Sequence, residues 1–361
     1  MKINNSLIHI ISMTDLPNGA ESVLLKLAIA VKGELIFVRK NVGNSLIIPD
    51  SQKRTYLSNT SLLRGLIKLI KELRKLDNKH IVMSTHPSIN VFLGFLKRIG
   101  YLKPKLIVRE CTSVFTRFHG LKKLAYLMLY KMGYPGVDLV ICQTDLMKSQ
   151  LLIHNPFLSK KNVVVRPNPV DTEKLLSLAQ LPLTDIESQE NYICSAGRLI
   201  PEKGFDILIE AFDNLHQKHP DLKLYILGEG KEKEALSELI KEKNLQEAVI
   251  LKGHILNPAP YFKNARLCVV SSRMEGFPNV LLEMMALNSN VVSTLCAGGI
   301  YSIPNIITAK ANNVEDLEKA MHQALIHSEK YQTTEFNPHA DYLNDRKPSH
   351  FAQSILDAIP Q

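Results

Sequence analysis

The stretch that decides the fold runs from Leu267 to Leu287 and reads LCVVSSRMEGFPNVLLEMMAL. Its first four residues are all apolar, which predicts a buried strand. Gly276 and Pro278 then favour a turn, and the apolar segment from Asn279 to Leu287 predicts a helix. At the start of such a helix, backbone N–H groups face any anion that binds there. The stretch therefore predicts a strand–loop–helix unit with an anion site at the helix N-terminus.

Two glutamates in this stretch, Glu275 and Glu283, lie eight positions apart. Glu275 is predicted on the loop, and Glu283 about one turn inside the helix. Each carboxylate can accept hydrogen bonds from sugar hydroxyls, so the spacing suits a ligand with both phosphate and sugar, such as a nucleotide sugar. The spacing alone has a plainer explanation, because the helix dipole favours acidic residues near an N-terminus.

Strands and helices alternate along the chain in two sets, the first beginning with a predicted strand at Leu7–Ile11 and the second with one at Tyr192–Ser195. This alternation predicts parallel sheets covered by helices on both faces. Asn168, between two prolines, and a polar stretch from Ala179 to Asn191 separate the sets. We therefore predict an α/β fold with two Rossmann-like, doubly wound domains facing a central cleft. The predicted domains are residues 1–170, completed by a C-terminal helix at about 350–361, and residues 171–349.

Composition limits the classes of protein to consider. With 361 residues, 45% of them hydrophobic, the chain can bury two sizeable cores. Its five cysteines are scattered without metal-site spacing, and the odd number argues against a disulfide framework, which favours a reducing, cytoplasmic compartment. The first apolar run is too short for a signal-peptide core, and no apolar run reaches the length of about 18 residues typical of a spanning helix.

Charge is distributed unevenly. Residues 1–170 contain 26 basic and 9 acidic residues, whereas the remainder contains 18 basic and 26 acidic residues. A basic first half favours an anionic membrane surface as a partner, although a solvated surface is the alternative for any single cluster. Nucleic acid is disfavoured because the basic clusters lack interleaved aromatic residues and the chain has no Trp. The clusters are Arg64–Lys79, Lys97–Lys105 and the group Lys122, Lys123 and Lys131. In the first of them, the predicted helix Leu62–Leu76 is expected to turn its basic residues away from an apolar face of Leu66, Ile67, Leu69, Ile70 and Leu73.

The segment SAGRLIPEKG, residues 195–204, follows the first predicted strand of the second half. Arg198 and Lys203 are therefore expected at the carboxyl end of that strand, where ligands of open α/β sheets bind. Arginine offers a bidentate fork and lysine a mobile point charge, so together they suit a diphosphate. The alternative is that both side chains are merely solvated.

Weaker signals follow other predicted strands. Gly19 allows close approach of the backbone to a phosphate, or it serves only the turn. His86 either contacts the substrates or is structural. Arg109 and Glu110 form either a buried pair or part of an acceptor-binding loop. Gly228 permits a tight turn beneath a nucleotide.

Five sequence runs resemble the retaining glycosyltransferases of family four. The resemblance covers nearly the whole chain and is strongest in residues 166–295. It implies the GT-B architecture of two Rossmann domains and a nucleotide-sugar donor. The runs are NGAE (18–21), RPNPVD (166–171), SAGRLIPEKGFDILIEAF (195–212), LYILGE (224–229) and SRMEGFPNVLLE (272–283).

The resemblance also implies roles for individual residues. Arg198 and Lys203 correspond to the phosphate-binding pair, Glu275 to the glutamate that contacts the donor sugar, and Glu283 to the one that holds the ribose. His86 resembles the active-site histidine. Backbone amides would contact the sugar and diphosphate at Gly276, Phe277, Pro278, Asn279 and Val280, proline being able to contribute only its carbonyl. The chain departs from the pattern at Asn18, where a glycine is usual, and after Gly298-Gly299, where the usual acid is missing.

The sequence thus predicts a retaining glycosyltransferase that moves a sugar from a nucleotide diphosphate-sugar, a UDP-sugar by expectation, to a glycan acceptor. We expect the acceptor to be lipid-linked, the enzyme to be peripheral on the inner face of the cell membrane, and the pathway to be capsule, O-antigen or exopolysaccharide synthesis. No metal cofactor is expected. The alternatives are a sugar-nucleotide epimerase on the same fold and a catalytically inactive scaffold in a glycan-assembly complex.

Overall fold

The computed structural model describes residues 7–43, 45–183, 190–330 and 337–360. The chain divides into two compact units: unit one comprises Met1–Pro169 with Arg346–Gln361, and unit two comprises Val170–Asp345. The predicted α/β fold is confirmed, since each unit has a parallel sheet whose strands alternate with helices. Residues 1–6, before the first predicted strand, and residues 184–189, in the predicted linker, lie outside the described residues.

The strands form one sheet per unit across the described ranges. Unit one has the order β3-β2-β1-β4-β5-β6-β7, and unit two has the order β10-β9-β8-β11-β12-β13. Each sheet therefore reverses its direction of strand addition once, between β1 and β4 in unit one and between β8 and β11 in unit two. The strands are β1 Ile8–Ser12, β2 Glu34–Phe37, β3 Arg54–Tyr56, β4 Ile81–Ser84, β5 Lys105–Arg109, β6 Leu139–Cys142, β7 Asn162–Val165, β8 Tyr192–Ala196, β9 Lys223–Leu227, β10 Val249–Gly253, β11 Leu267–Val270, β12 Val291–Thr294 and β13 Ile307–Ala309.

Helices connect these strands and cover the sheets. Short 3₁₀ turns supplement them, one of which, Pro201–Lys203, belongs to the site described below. The α-helices are α1 Gly19–Val31, α2 Leu62–Leu73, α3 Pro87–Arg98, α4 Val114–Arg117, α5 Gly120–Gly133, α6 Asp145–His154, α7 Thr172–Leu178, α8 Phe205–His216, α9 Lys233–Glu242, α10 Ala259–Asn264, α11 Asn279–Leu287, α12 Val314–Lys330, α13 Ala340–Asn344 and α14 Pro348–Leu356. No helix in the described ranges has both the length and the hydropathy needed to cross a bilayer.

Each sheet is buried on both faces, as its apolar strands require. Successive side chains of a strand point to opposite faces, and in β1 Ile10 enters the core shared with α1 while Ile11 enters the core on the other face. The same division occurs in β9, where Leu224 and Tyr225 enter different cores. Because both faces are covered, the strands read as continuous apolar runs rather than alternating ones.

The C-terminal helix α14 completes unit one. Phe351, Ala352 and Ile355 are buried in the same core as α1. The guanidinium of Arg166, just after β7, donates from Nε to the carbonyl of Ser354 at 3.1 Å. The last residues of the chain thus return to the first unit.

Several local predictions differ from the structure. The helix predicted to reach Leu76 ends at Leu73, and Ile67 is not on its buried face but half exposed among the basic residues. This prediction was wrong because the buried face is centred on Gly65, Leu69 and Leu73, which leaves Ile67 on the far side of the helix. Helices α3, α4, α5, α7, α10 and α13 and strands β3 and β13 were not predicted.

Candidate active site

In unit two, the predicted phosphate-binding and sugar-binding segments begin at one edge of the sheet. The loop with Arg198 and Lys203 follows β8, and the loop with Glu275 follows β11. These two strands are hydrogen-bonded neighbours, with Leu267 opposite Ile193. The order reverses between them, and the carboxyl ends of strands at such a switch point are the usual ligand site of doubly wound sheets.

Lys203 and Glu275 form the centre of this site. Lys203 Nζ donates to Glu275 Oε1 at 2.5 Å, although the two residues are 72 positions apart in the chain. Ser272 Oγ donates to the same oxygen at 3.1 Å. The Lys203 side chain is 17% exposed and that of Glu275 is 20% exposed, so a ligand can reach both. The structure thus brings the predicted phosphate-binding lysine and the predicted sugar-binding glutamate together.

Backbone contacts join the two loops. Gly204 adopts φ +62° at the end of the 3₁₀ turn, and a Cβ there would lie 2.4 Å from the carbonyl oxygen of Ser271. Only glycine fits this crossing, since the left-handed conformation and the close approach both exclude a side chain. Ser271 Oγ donates to the Lys203 carbonyl at 2.9 Å, and the Arg273 amide donates to the Glu202 carbonyl at 2.8 Å. The position of Lys203 relative to Glu275 is therefore fixed by the main chain.

Arg273 adds a side-chain connection that the sequence did not suggest. Its guanidinium contacts both oxygens of Asp206, at 2.8 and 2.5 Å, in a bidentate pair. It also donates to the Pro201 carbonyl at 2.7 Å and to Asn312 Oδ1 at 2.8 Å. Burial raises the pKa of the Asp206 carboxyl, but the charged hydrogen bonds from Arg273 and the backbone contacts together outweigh it, so the pKa is lowered. Arg273 thereby links the Glu275 loop to the first turn of α8.

Arg198 follows Gly197, where a Cβ would lie 3.2 Å from Cε of Lys203, so the Lys203 side chain passes beside the loop that carries Arg198. The Arg198 side chain is exposed, and no hydrogen bond or ion pair from it occurs among the described residues. Its loop rests on the loop that follows β9: a Cβ at Gly228 would lie 1.8 Å from the Gly197 carbonyl oxygen. Gly228 thus permits the close approach of two loops, which places Arg198 beside the switch point.

The helix α11 begins at Asn279, as predicted, with Pro278 as its N-cap residue and no side-chain cap. Phe277 and Val280 pack against the core of unit two, which anchors the preceding loop with Gly276. Glu283 lies one turn inside the helix and is half-buried. The structure therefore places the whole predicted stretch at the switch point, with Glu275 on the loop and Glu283 on the helix.

Unit one contains a second pair of charged groups at its own switch point. His86, the N-cap residue of α3 after β4, has its Nε2 2.5 Å from Oε1 of Glu21, which lies in the first turn of α1 after β1. Ser12 Oγ donates to the same oxygen at 3.1 Å. Burial disfavours the charged imidazole, but interactions with Cys111 and Glu21 outweigh it and raise the pKa of His86 to about 10. These contacts favour the imidazolium form of His86.

The predicted phosphate loop of unit one has a capped helix. Asn18 is the N-cap residue of α1, and its Oδ1 accepts a hydrogen bond from the Ala20 amide at 3.2 Å. Gly19 is the first residue of that helix. One of the amides that an anion would use is thus already occupied by the asparagine that replaces the usual glycine.

Comparison with known proteins identifies the family. The model of the family "Glycosyl transferases group 1" matches residues 182–337. A Campylobacter jejuni enzyme, N-acetylgalactosamine-N,N'-diacetylbacillosaminyl-diphospho-undecaprenol 4-alpha-N-acetylgalactosaminyltransferase, is 32% identical over 291 residues, covering 76% of this chain and 77% of that protein. The chain belongs to the glycosyl transferases group 1 family. It is accordingly a glycosyltransferase that uses a nucleotide-sugar donor.

Further similarities agree with this assignment. The capsular polysaccharide biosynthesis glycosyltransferase CapM of Staphylococcus aureus is 24% identical over 311 residues, which cover 76% of this chain and 78% of CapM. The crystal structure of Anabaena HepE in complex with UDP-glucose superposes with a TM-score of 0.78 at 15% identity, covering 97% of this chain and 98% of HepE. The fold of this glycosyltransferase is GT-B.

The glycosyltransferase keeps Arg109 and Glu110 in its interior, which favours the first of the two predicted alternatives, a buried pair. Arg109 donates to Thr85 Oγ1 at 3.2 Å and to Asn168 Oδ1. Glu110 accepts hydrogen bonds from Tyr130, at 2.8 Å, and from Tyr134. Burial raises the pKa of Glu110 and lowers that of Arg109 to about 10. Both side chains are buried, so they stabilise the carboxyl end of β5 rather than line an open loop.

Three contributors to the site were not predicted: Ser272, Arg273 and Asp206. Ser272 and Arg273 lie inside the quoted stretch, but nothing in the sequence around Arg273 indicates a partner 67 positions away. Metal ligands were not expected, and no cluster of three or more His, Cys, Asp or Glu side chains suited to a metal occurs in the part of the chain that the structure describes.

Proposed function

We propose that this glycosyltransferase moves a sugar from a UDP-sugar to a lipid-linked glycan acceptor, with retention of the anomeric configuration, in cell-surface polysaccharide biosynthesis. The observation that carries the proposal is the Lys203–Glu275 pair at the switch point between β8 and β11. A cation and a carboxylate side by side match the two halves of a sugar diphosphate, in which phosphate oxygens adjoin sugar hydroxyls.

Binding of the donor would replace the contact between Lys203 and Glu275 with contacts from each residue to the donor. The diphosphate would take Lys203 and the exposed Arg198, while Glu275 would accept hydrogen bonds from hydroxyls of the transferred sugar. The main-chain contacts that join the two loops keep these groups in place during the exchange, so little reorganisation is needed. Glu283, one turn along α11, would hold the ribose.

The chemical step breaks the bond between the anomeric carbon and the diphosphate oxygen and forms a bond from that carbon to the acceptor oxygen. Negative charge grows on the departing diphosphate, and Arg198, Lys203 and the N-terminus of α11 would stabilise it. No metal is required in this scheme. The acceptor attacks from the face that the diphosphate leaves, and a phosphate oxygen takes the proton of the acceptor hydroxyl, which gives retention and releases UDP.

The finer assignments rest on relatives. HepE, which shares the fold, holds UDP-glucose in its crystal structure. The Campylobacter relative is named for an acceptor on diphospho-undecaprenol, and CapM for capsular polysaccharide. These names support UDP as the nucleotide and a lipid-linked acceptor for this chain, in a capsule, O-antigen or exopolysaccharide pathway.

The excess of basic residues in residues 1–170 supports an anionic membrane as the place where such an acceptor is met. We place the protein in the cytoplasm, peripheral on the inner face of the cell membrane. Some of these basic residues are paired within unit one: Lys53 with Glu34 at 3.3 Å, Arg54 with Asp50 at 3.6 Å, Lys75 with Glu72 at 2.8 Å, and Lys97 with Asp138 at 2.9 Å.

The proposal is tested by incubating the purified full chain with a panel of nucleotide sugars and following slow hydrolysis by NMR. We expect one UDP-sugar to release UDP and free sugar, the first-formed anomer being that of the donor. Release of the opposite anomer would exclude retention, and turnover of a GDP- or CMP-sugar alone would exclude UDP.

The same experiment separates the alternatives. An epimerase on this fold would convert the nucleotide sugar without an acceptor and give an epimeric sugar, whereas a catalytically inactive scaffold would turn over no donor of the panel. Neither alternative is favoured by a specific contact in the site.

A further inference from the structure

Helix α5 has an apolar stripe that faces solvent. The stripe residues are 40% to 86% exposed and recur at intervals of three and four, the spacing that aligns side chains along one face of a helix. They are Leu121, Leu124, Met128, Leu129 and Met132. Scattered apolar residues on a surface need no explanation, but an aligned row on one helix marks a contact surface.

The opposite face of α5 is also apolar and is already used. Tyr130 is fully buried, and Tyr126 and Leu127 pack against the same core of unit one. A helix that is apolar on both faces is normally buried on both. One side of α5 is therefore covered by its own unit, and no described residue covers the stripe on the other side.

Basic side chains border the stripe. Between Glu110 and Asp138 the chain has no acidic residue. The basic residues of this interval are Arg117, Lys122, Lys123 and Lys131. Lys122 and Lys131 are exposed and flank the stripe on its two sides, whereas Lys123 is half-buried on the side of the helix that carries Tyr130. Lys122 lies 4.0 Å above the ring of Phe118, at the start of the helix, so its charge is held beside the stripe. A row of apolar side chains with basic residues on its borders is typical of a helix that lies in the headgroup region of an anionic membrane.

Close packing against α3 holds α5 in place on unit one. Gly94 and Gly133 allow the two helices to touch, since a Cβ at Gly94 would lie 2.4 Å from the Gly133 carbonyl oxygen. Arg98, at the end of α3, donates to the Lys131 carbonyl at 3.1 Å and to the Met132 carbonyl at 3.3 Å. Phe95 on α3 and Ile99, just after its end, are exposed as well.

From this arrangement we infer that α5 is an interfacial helix whose stripe inserts among the acyl chains of an anionic phospholipid membrane while its lysines contact the headgroups. The inference deepens the proposed function, on which it rests for the lipid-linked acceptor. It assigns insertion to a helix that the sequence did not predict, rather than to the basic helix α2. On α2 the exposed apolar residues are fewer, and Lys75, just after the helix ends, is already paired with Glu72.

The basic residues beside the stripe favour an anionic membrane over a second copy of this chain as its partner. In a symmetric contact through the stripe, the basic border of one copy would face the basic border of the other, and such like charges repel. Anionic headgroups instead match the border, and acyl chains match the stripe. Combined electrostatic and apolar contacts are what stable peripheral binding requires.

The first test is flotation of the full chain with vesicles of phosphatidylcholine alone or of equal parts phosphatidylcholine and phosphatidylglycerol. We expect binding to the anionic vesicles, and a fall of about tenfold or more in the partition constant for the double variant Leu124→Glu/Met128→Glu. Leu256→Glu, at a comparably exposed position of unit two, is the matched control and should bind as the wild type does. Leu63→Glu/Ile67→Glu on α2 should change the partition constant much less.

A second measurement reports insertion directly. The chain contains no Trp, so Met128→Trp introduces a single indole into the stripe, and Leu256→Trp introduces one elsewhere. On addition of anionic vesicles, we expect the emission of the first variant to move to shorter wavelength and to be quenched by brominated acyl chains. The second variant should show neither change.

Other outcomes would overturn the inference. They are equal flotation of the wild type and the α5 double variant, a Met128→Trp emission that does not respond to vesicles, and a stripe-dependent dimer in sedimentation without lipid. Lack of vesicle binding by the wild type would also overturn it and would leave the stripe to a protein partner. Turnover of the UDP-sugar panel is read separately, so failure of the proposed chemistry and failure of membrane insertion can be told apart.

Discussion

The two units place a cation–carboxylate pair at the same topological position but bury it differently. In unit two, Lys203 and Glu275 follow β8 and β11, and both side chains are partly exposed, 17% and 20%. In unit one, His86 and Glu21 follow β4 and β1, but Glu21 is only 2% exposed whereas His86 is 27% exposed. A ligand can reach both members of the first pair and only the imidazole of the second. We therefore expect Glu275 to act on substrate and Glu21 to act through His86.

Replacement of the two carboxylates tests this difference most strongly. Glu275→Gln should lower kcat/KM by about 10²–10³-fold, because a contact made to the transferred sugar is lost. Glu21→Gln should lower it by only about tenfold, because the histidine loses its orientation but not its contact surface. Steady-state kinetics with the UDP-sugar found in the panel measure both values.

The double variant Glu275→Gln/Lys203→Gln controls for structure. Removing one member of a partly buried ion pair leaves an uncompensated charge, so Glu275→Gln alone should also lose stability. The double variant should recover much of the melting temperature but none of the activity. Recovered activity would show that Glu275 only holds Lys203.

The bidentate Arg273–Asp206 pair should matter for positioning. Asp206→Asn should lower kcat by about tenfold with a smaller change in KM, since the Glu275 loop loses a contact that orients it rather than one that touches the donor. Arg273→Lys should not retain activity better than Asp206→Asn, because an ammonium cannot make the bidentate contact. A change confined to melting temperature would reduce the pair to a structural role.

The smallest effect concerns the pH dependence of unit one. Because contacts with Cys111 and Glu21 raise the pKa of His86 from the ordinary 6.5 to about 10, the stabilisation that they give the fold is complete below pH 6.5 and is lost as the pH rises through 10. The melting temperature of the wild type should therefore fall relative to that of His86→Gln by about 2–4 °C between these limits, roughly 1 kcal/mol. Parallel melting curves of the two proteins across this pH range would contradict the assignment.

A secondary-structure element could be predicted from the sequence where the residues that determine it are neighbours in the chain. The helix Asn279–Leu287 was predicted with the bounds that the structure shows, because a turn with Gly276 and Pro278 precedes a continuous apolar run. Helix α5 was missed for the opposite reason: with apolar residues on both faces, it shows no amphipathic period. Helix α3 begins at Pro87, directly after His86, and that proline was not recognised as a first helical residue.

By itself, the sequence determined the α/β class, the strand–loop–helix units and the residue types of the site, because hydrophobic periodicity and turn chemistry are local properties. The tertiary structure alone decided which of these residues meet. The contacts of Lys203 with Glu275 and of Arg273 with Asp206 span 72 and 67 positions and arise from the pairing of β8 with β11. Which face of α5 stays uncovered is likewise set by packing, since the burial of a side chain depends on its neighbours in space rather than in sequence.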